Sequence, residues 1–432
     1  MSRPWLDGNN NLFAVRKLAH IARLKARIGW QNLRTEEFVE EGPFCVTGTD
    51  FQNGSVNWST CYRVSPERYE IDRNIHLQEG DLLITKDGTI GKVAVVRNMP
   101  GPATLNSGVF LLRSLGEGLD TTFMKWIVQS KVFDDFVAYN STGSTINHLY
   151  QNVFEQFRFP YPDRTTQKTI AGFLDRETAR IDRLIETKQR LVGVLKEREL
   201  AHIAYKFSQL DARTWRVRHL GKLKNGAGFP VELQGDPSQN IAFFKVKHLK
   251  VHGLDAAIAQ ADDTVSEETA HSLRATVFPK GTIVFAKIGA ALLLGRFSML
   301  GRTACIDNNM AAFIPNEKLI EPNFALLGLS QADMTTMVQP GAVPSLSTEA
   351  FYSFGIPLPS KETQRNFVDA FRSWRSTTLR IIDKTERSIA LLRERRTALI
   401  TAAVTGQMDV AAWDKQERTG RRLDEAAGKM QA

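Results

Sequence analysis

The chain has 432 residues, 42% hydrophobic and 24% charged, a balance that suits about two to three folded domains and excludes a disordered or fibrous chain. No apolar run approaches the roughly 18 residues needed to span a bilayer, and Met1–Asn11 is polar with no signal-peptide core, so a cytoplasmic protein is expected. The formal net charge of +9 fits a polyanionic partner, and the three scattered cysteines, Cys45, Cys61 and Cys305, form no CxxC pair, so they support buried free thiols over a zinc ribbon or disulfide framework.

In chain order, the first segment, Phe13-Ala14-Val15-Arg16-Lys17-Leu18, opens a globular region running from about Leu12 to Tyr161. Within it Gly80–Val96 predicts strand, turn, strand, with Lys86-Asp87-Gly88 at the turn and Val93-Ala94-Val95-Val96 returning. Phe123–Tyr139 predicts one amphipathic helix, with Phe123, Trp126, Ile127, Phe133, Phe136 and Val137 on one side. Pro162-Asp163 then places a proline before a helix-capping residue, and a helical stretch of about 40 residues follows.

The pattern then repeats. Trp215-Arg216-Val217-Arg218-His219-Leu220 echoes the first segment, and Gly281-Thr282-Ile283-Val284-Phe285-Ala286-Lys287-Ile288-Gly289 echoes Gly80–Gly88. Ile356-Pro357-Leu358-Pro359 with Gln364 echoes Phe159-Pro160-Tyr161-Pro162 with Gln167. The offsets of 202, 201 and 197 residues describe a duplicated domain, not a solenoid unit. A second globular region runs from about Trp215 to Leu358, and Pro359-Ser360 begins a second long helix. Each copy therefore divides into an α+β part and a helix.

Ile181, Leu184, Ile185, Leu191, Val192 and Leu195 form an apolar stripe on the first helix; Ile381, Ile382, Ile389, Leu392, Leu399, Ile400 and Ala403 form one on the second. At the 197 offset Ile185, Val192 and Leu195 fall on Ile382, Ile389 and Leu392, the residues expected to pack a coiled-coil pair. Antiparallel packing would make the chain pseudo-two-fold symmetric and match two half-sites on B-DNA, read about one turn apart, with the helices as a ruler. Gly406 suits the stop of the second helix, and Gln407–Ala432 is a polar tail, with Trp413, expected to be poorly ordered beyond about Ala412.

The duplication, the Pro-x-Pro-then-Gln start of each helix, Gly80-Asp81-Leu82-Leu83-Ile84 with Gly88-Thr89-Ile90-Gly91-Lys92, and the segment Leu391–Gly406 resemble the specificity subunits of type I restriction-modification enzymes, the HsdS family. The resemblance extends to about Val410 and implies two target-recognition domains separated by two long helices. It divides the chain into a first recognition domain (1–162), a first helical region (163–208), a second recognition domain (209–359), a second helical region (360–406) and a tail (407–432). It implies that each domain reads one half of a split site in double-stranded DNA. It further implies that two adenine-methylating modification subunits dock on the helical regions and that two restriction subunits join for ATP-driven cleavage. S-adenosylmethionine, ATP and Mg then belong to the partner subunits, with no cofactor or metal in this chain. In one respect the copies depart from each other: Gly289–Arg296 is longer than the tight turn Gly88–Lys92.

A non-catalytic chain is also what the motif search gives. There is no Asn-Pro-Pro-aromatic methyltransferase turn, and Gly88-Thr89-Ile90-Gly91-Lys92 lacks the spacing of a phosphate loop. Asp163 with Glu186-Thr187-Lys188 superficially resembles a nuclease set, but about 35 Å of helix would separate them. Two alternatives remain open: a self-sufficient DNA-modifying or DNA-cleaving enzyme, which the missing motifs disfavour, and a coiled-coil protein scaffold, which the basic charge and the large loop-rich domains disfavour.

Major-groove readout favours polar and basic side chains on loops held by a rigid frame. In the first copy the candidates are Arg27, Trp30 and Gln31 near the start, Lys86, Asp87, Thr89 and Lys92 at the hairpin, and Ser144, Thr145, Asn147 and His148 before the helix. In the second they are Lys245, Lys247, His248, Lys287, Arg296, Arg302, Asn308 and Ser345. Taken singly, each also reads as an ordinary solvated residue.

Overall fold

A computed structural model describes residues 4–7, 12–27, 37–140, 148–249 and 257–413. The chain divides into two compact units, one made of 1–187 with 387–432 and the other of 188–386. Each holds one α+β domain, the first half of one long helix and the second half of the other.

In the first unit an antiparallel ladder runs Ala22–Ala26, Val109–Ser114, Leu82–Thr85, Val93–Val95. Ser55–Val56 extends it in parallel beside Val95. The expected strand-turn-strand over Gly80–Val96 is present in this ladder. Alternation of side chains explains why Leu82–Thr85 is buried along its whole length. Leu82 and Ile84 face a core built with Phe110, Leu112, Phe123 and Trp126. Leu83 faces a second core with Val46, Ala94 and Leu111, closed by a small sheet in which Phe44–Val46 lies parallel to Ala103–Leu105.

The second unit repeats this order. Gly221–Asn225, Met310–Pro315, Ile283–Ala286 and Phe297–Leu300 form the ladder, and Ile241–Phe244 lies parallel to Ala304–Ile306. Ile283 and Phe285 face one core and Val284 and Ala286 the other.

The helix expected over Phe123–Tyr139 is two helices, Thr121–Val128 and Lys131–Asn140. Ser130 breaks it: its hydroxyl donates to the Ile127 carbonyl, while the Lys131 amide donates to the Thr401 hydroxyl (3.1 Å). Phe123, Trp126, Ile127, Phe133 and Phe136 are buried as expected, and Val137 is half-buried.

The long helices span Arg164–Ser208 and Lys361–Thr405, 45 residues each and about 68 Å at 1.5 Å per residue. Asp163 caps the first, accepting from the Thr166 amide (3.1 Å) and hydroxyl (2.6 Å); Ser360 caps the second, accepting from the Thr363 amide (3.2 Å). Gly406 ends the second at φ +80°, where a Cβ would sit 2.9 Å from the Phe13 ring.

The helices run antiparallel within each unit. In the first, Ile181, Ile185 and Ile389 pack together with Leu392 and Leu399 alongside, and Arg396 pairs with Asp182 (3.0 Å). In the second, Arg375 pairs with Glu199 (2.6 Å) and the His202 ring stacks on Trp374 at 4.0 Å. Of the expected packing residues, Ile185, Val192, Ile382 and Ile389 are buried and Leu195 and Leu392 half-buried. Leu184, Leu191 and Ile381, placed in the same stripes, are exposed, because the seam between two helices is narrower than the apolar stripe on either. Ile400 and Ala403 enter the first domain's core instead.

Cys45 and Cys305 are buried free thiols; Cys61 is half-buried. Burial pushes the three up, Cys45 and Cys61 to about 12 and Cys305 to about 11. Of the tail, Met408 and Val410 pack on the first core, and the rest from 414 lies outside the described residues. Among the described residues no helix is long and apolar enough to cross a membrane.

Candidate nucleic-acid interface

Four segments converge at one end of the main ladder in the first unit. The elbow 86–92 turns on Gly88 and Gly91, both at positive φ, 65° and 86°. The Thr85 hydroxyl donates to the Thr89 carbonyl (2.5 Å) and accepts from the Lys92 amide (3.0 Å), which fixes the turn. The Lys86 amide donates to the Gly108 carbonyl in the turn Asn106-Ser107-Gly108, and the Lys86 carbonyl accepts from Leu149, both at 2.9 Å. The Asn106 amide donates to Val46 (2.9 Å), bringing in the turn Thr47–Asp50. Gly48 there lies so close to Thr85 that a Cβ would come within 2.7 Å of its methyl.

The second unit makes the same three backbone bonds. Lys287 donates to Asn309 (2.8 Å), Leu346 donates to Lys287 (2.9 Å) and Asp307 donates to Phe244 (2.9 Å). The extended bridge Asp87↔His148 of the first copy has its counterpart in Ile288↔Ser345. The elbow itself differs: beyond Gly289 it continues as a helical turn, Ala290–Leu293, in place of a tight hairpin. Lys92 and Arg296 nevertheless occupy the same place, each one residue before the strand that pairs back.

These junctions gather most of the candidates that fall on described residues. Lys86, Asp87, Thr89, Lys92 and His148 meet in the first copy; Asp87, Thr89 and Lys92 are exposed, and the Asp87 carboxylate pairs with His148 Nδ1. The Lys86 ammonium lies over the Phe110 ring, 5.7 Å from its centre. In the second copy Lys287, Arg296, Asn308 and Ser345 meet at the elbow, and the Lys245–His248 turn joins them through Asp307. Burial raises the Asp307 carboxyl against the pull of the Asn309 and Val246 amides and of Lys245 and His248, and burial lowers Lys287 against the pull of Asp307.

Two candidates, Arg27 and Arg302, are placed otherwise, and Lys245 is tied to partners of its own. Arg27 is buried, with Nε donating to the Leu105 carbonyl (2.8 Å) and Nη2 to the Thr104 hydroxyl (3.3 Å). It ties the main ladder to the small sheet. Lys245 reaches the Gln234 amide oxygen (2.6 Å) and the buried Asp263 (2.8 Å). Burial would raise Asp263, but Lys245 and the Gly235 amide outweigh it and hold the carboxyl low. Arg302 donates to the Asn240 carbonyl (2.8 Å) at the end of the small sheet away from Lys245 and Asp307. Lys247 is exposed and pairs with Asp262 (2.7 Å), while His248 Nδ1 accepts from the Lys245 amide (2.9 Å). Trp30, Gln31, Ser144, Thr145 and Asn147 lie outside the described residues.

Sequence reasoning did not single out Asn106 and Ser107, which turn beside the first elbow, or Ile288 at the second. The signal was available: the 201 offset carries Asn308 onto Ser107 and Asp87 onto Ile288.

The chain resembles known proteins over most of its length. The family model for the type I restriction modification DNA specificity domain matches residues 12–192 and again 216–390. The chain is 20% identical over 323 residues to the type I restriction enzyme MjaVIII specificity subunit of Methanocaldococcus jannaschii, covering 70% of this chain and 74% of that protein. It shares its fold with a chain solved in work on complex assembly and conformational transition of the type I R-M system, at TM-score 0.73 and 13% identity, over 92% of this chain and 98% of the other. The HsdS subunit from Thermoanaerobacter tengcongensis aligns at TM-score 0.54 and 14% identity, over 92% and 97%. With two matched copies spanning most of its length, the chain belongs to the type I restriction-modification DNA specificity family.

Proposed function

We propose that each α+β domain reads one half of a bipartite site in double-stranded DNA and that the two long helices set the spacing and dock the modification subunits. The observation that carries this is the junction made twice by the same three backbone bonds, each presenting a different set of polar and basic side chains on a fixed frame. Domains 1–162 and 209–359 would read, 163–208 and 360–406 would connect and dock, and 407–432 would be a tail.

The chain acts as a specificity subunit without chemistry of its own. Methyl transfer, with S-adenosylmethionine, falls to two modification subunits, and ATP- and Mg-dependent cleavage to two restriction subunits. Docking has a physical basis in the helices: Leu184 and Leu391 in the first unit and Leu191, Val194 and Leu379 in the second are exposed apolar residues on long charged helices. The protein would work in the cytoplasm, where the DNA is.

Selection of duplexes from a randomised library by the full-length chain tests the reading. It returns two short motifs at a fixed separation, and binding weakens steeply with salt. Enrichment of one continuous motif, or binding without a salt slope, contradicts it.

A further inference from the structure

The two junctions share a backbone but differ in charge at one matching position. In the first copy the residue after the elbow lysine is Asp87; in the second it is Ile288. Both are exposed, and each is bridged to the incoming segment, by His148 and Ser345 respectively. Asp87 Oδ1 is engaged by His148 Nδ1, and among the described residues Oδ2 has no hydrogen-bond donor. Oδ2 lies over the turn at Gly108, where a Cβ would be 3.7 Å away.

A carboxylate on a surface that meets DNA faces repulsion from phosphates, which offer it no proton. The donors in the major groove are the exocyclic amino groups of cytosine (N4) and adenine (N6), and a carboxylate accepts from cytosine N4. An aliphatic side chain makes no such bond and suits the thymine methyl. Lys92, exposed at the end of the elbow, is a cation suited to phosphate, while the Lys86 ammonium is turned to the Phe110 ring, so the Asp87 carboxylate is the group suited to a base.

We propose that Asp87, oriented by His148, selects a base bearing an exocyclic amino group, cytosine, in the half-site read by the first copy, while Ile288 makes the matching position of the second half indifferent to that group. This rests on the recognition reading above, and it names a specificity-determining residue within it.

The test uses the full-length chain and the same duplex library for wild type, Asp87→Ala, Asp87→Asn and Ile288→Asp. Asp87→Ala lowers the preference for cytosine at one position of the first half-motif by about ten- to one-hundred-fold. Asp87→Asn moves that position toward adenine, because an amide pairs with adenine N6 and N7. Ile288→Asp creates a cytosine preference in the second half. In each variant the untouched half-motif stays as in wild type, which shows that the chain is folded. A first half-motif unchanged in Asp87→Ala overturns the inference and leaves the split-site reading standing. Adenine at that position in the wild-type motif overturns the choice of cytosine. A wild-type chain that returns no split motif overturns the recognition reading and this inference with it.

Discussion

The start of each long helix and the elbow of each domain are both made twice, and they differ in what is repeated. At the helix start the bonds of one buried glutamine are identical. Gln167 Oε1 accepts from the Asp120 amide (2.9 Å), and its Nε2 donates to the carbonyls of Gly118 (3.1 Å) and Pro162 (2.8 Å). Gln364 makes the same three bonds, with Glu321 (2.8 Å), Leu319 (3.1 Å) and Pro359 (2.9 Å). Both amides are fully buried. At the elbow the backbone bonds and the basic residues recur, but Asp87, Thr89 and His148 give way to Ile288, Ala290 and Ser345. A buried amide with three partners tolerates no other side chain, whereas an exposed turn held by its backbone leaves its side chains free to differ. The first region keeps the domain on its helix; the second is where the two halves of a split site can come to differ.

The largest effect should come from breaking the repeated junction. Gln364→Leu strands a buried amide and two carbonyls and should cost about 3–4 kcal/mol in denaturant unfolding, with Gln167→Leu costing the same. A loss near zero at either would remove the distinction between the two regions.

The next effect concerns a pair that the copies do not share. Arg113 makes two bonds of 2.7 Å to Asp81, which is 2% exposed, where the second copy has Ile314 and Thr282. Arg113→Ile alone leaves a buried carboxylate and should cost about 3 kcal/mol; adding Asp81→Thr should recover most of it, because it removes the uncompensated charge and copies the Ile314 and Thr282 of the second copy. Additive losses would show that the second copy's solution does not fit the first copy's frame.

Lys92→Ala and Arg296→Ala probe the matched basic positions and should each reduce the salt slope of DNA binding by about 1, with fold stability unchanged. An unaltered slope would take these positions off the DNA.

The smallest effect is a pH dependence present at one helix and absent from the other. Bonds from the Thr166 hydroxyl and amide hold the Asp163 carboxyl below the usual carboxylate range. A carboxylate depressed by folding stabilises the fold above its unfolded value, about 3.9, and that stability is lost as pH falls through the lower folded value. Asp163→Ser, which copies Ser360, should flatten unfolding stability below about pH 4 and leave it little changed at neutral pH.

The sequence made the fold legible because the duplication compared the chain with itself: Lys86, His148, Gln167 and Asp163 are found again at Lys287, Ser345, Gln364 and Ser360. Long-range partners were out of reach. Nothing near Ser130 announces that the next amide bonds Thr401, 270 residues away, and so splits a helix that periodicity joins. Arg27 and Lys245 read as surface cations because their partners, Leu105 and Asp263, are brought to them by the fold. Periodicity also cannot separate Ile185 from Leu184 or Ile382 from Ile381, since each pair shares the apolar stripe of its helix and only the seam is covered.

A genome-wide map of adenine methylation in the source cell, with and without this gene, tests the central claim most directly. Loss of one split motif, two short halves around a fixed unspecified gap, is the result expected of two domains reading separately. Loss of a short continuous motif would contradict it.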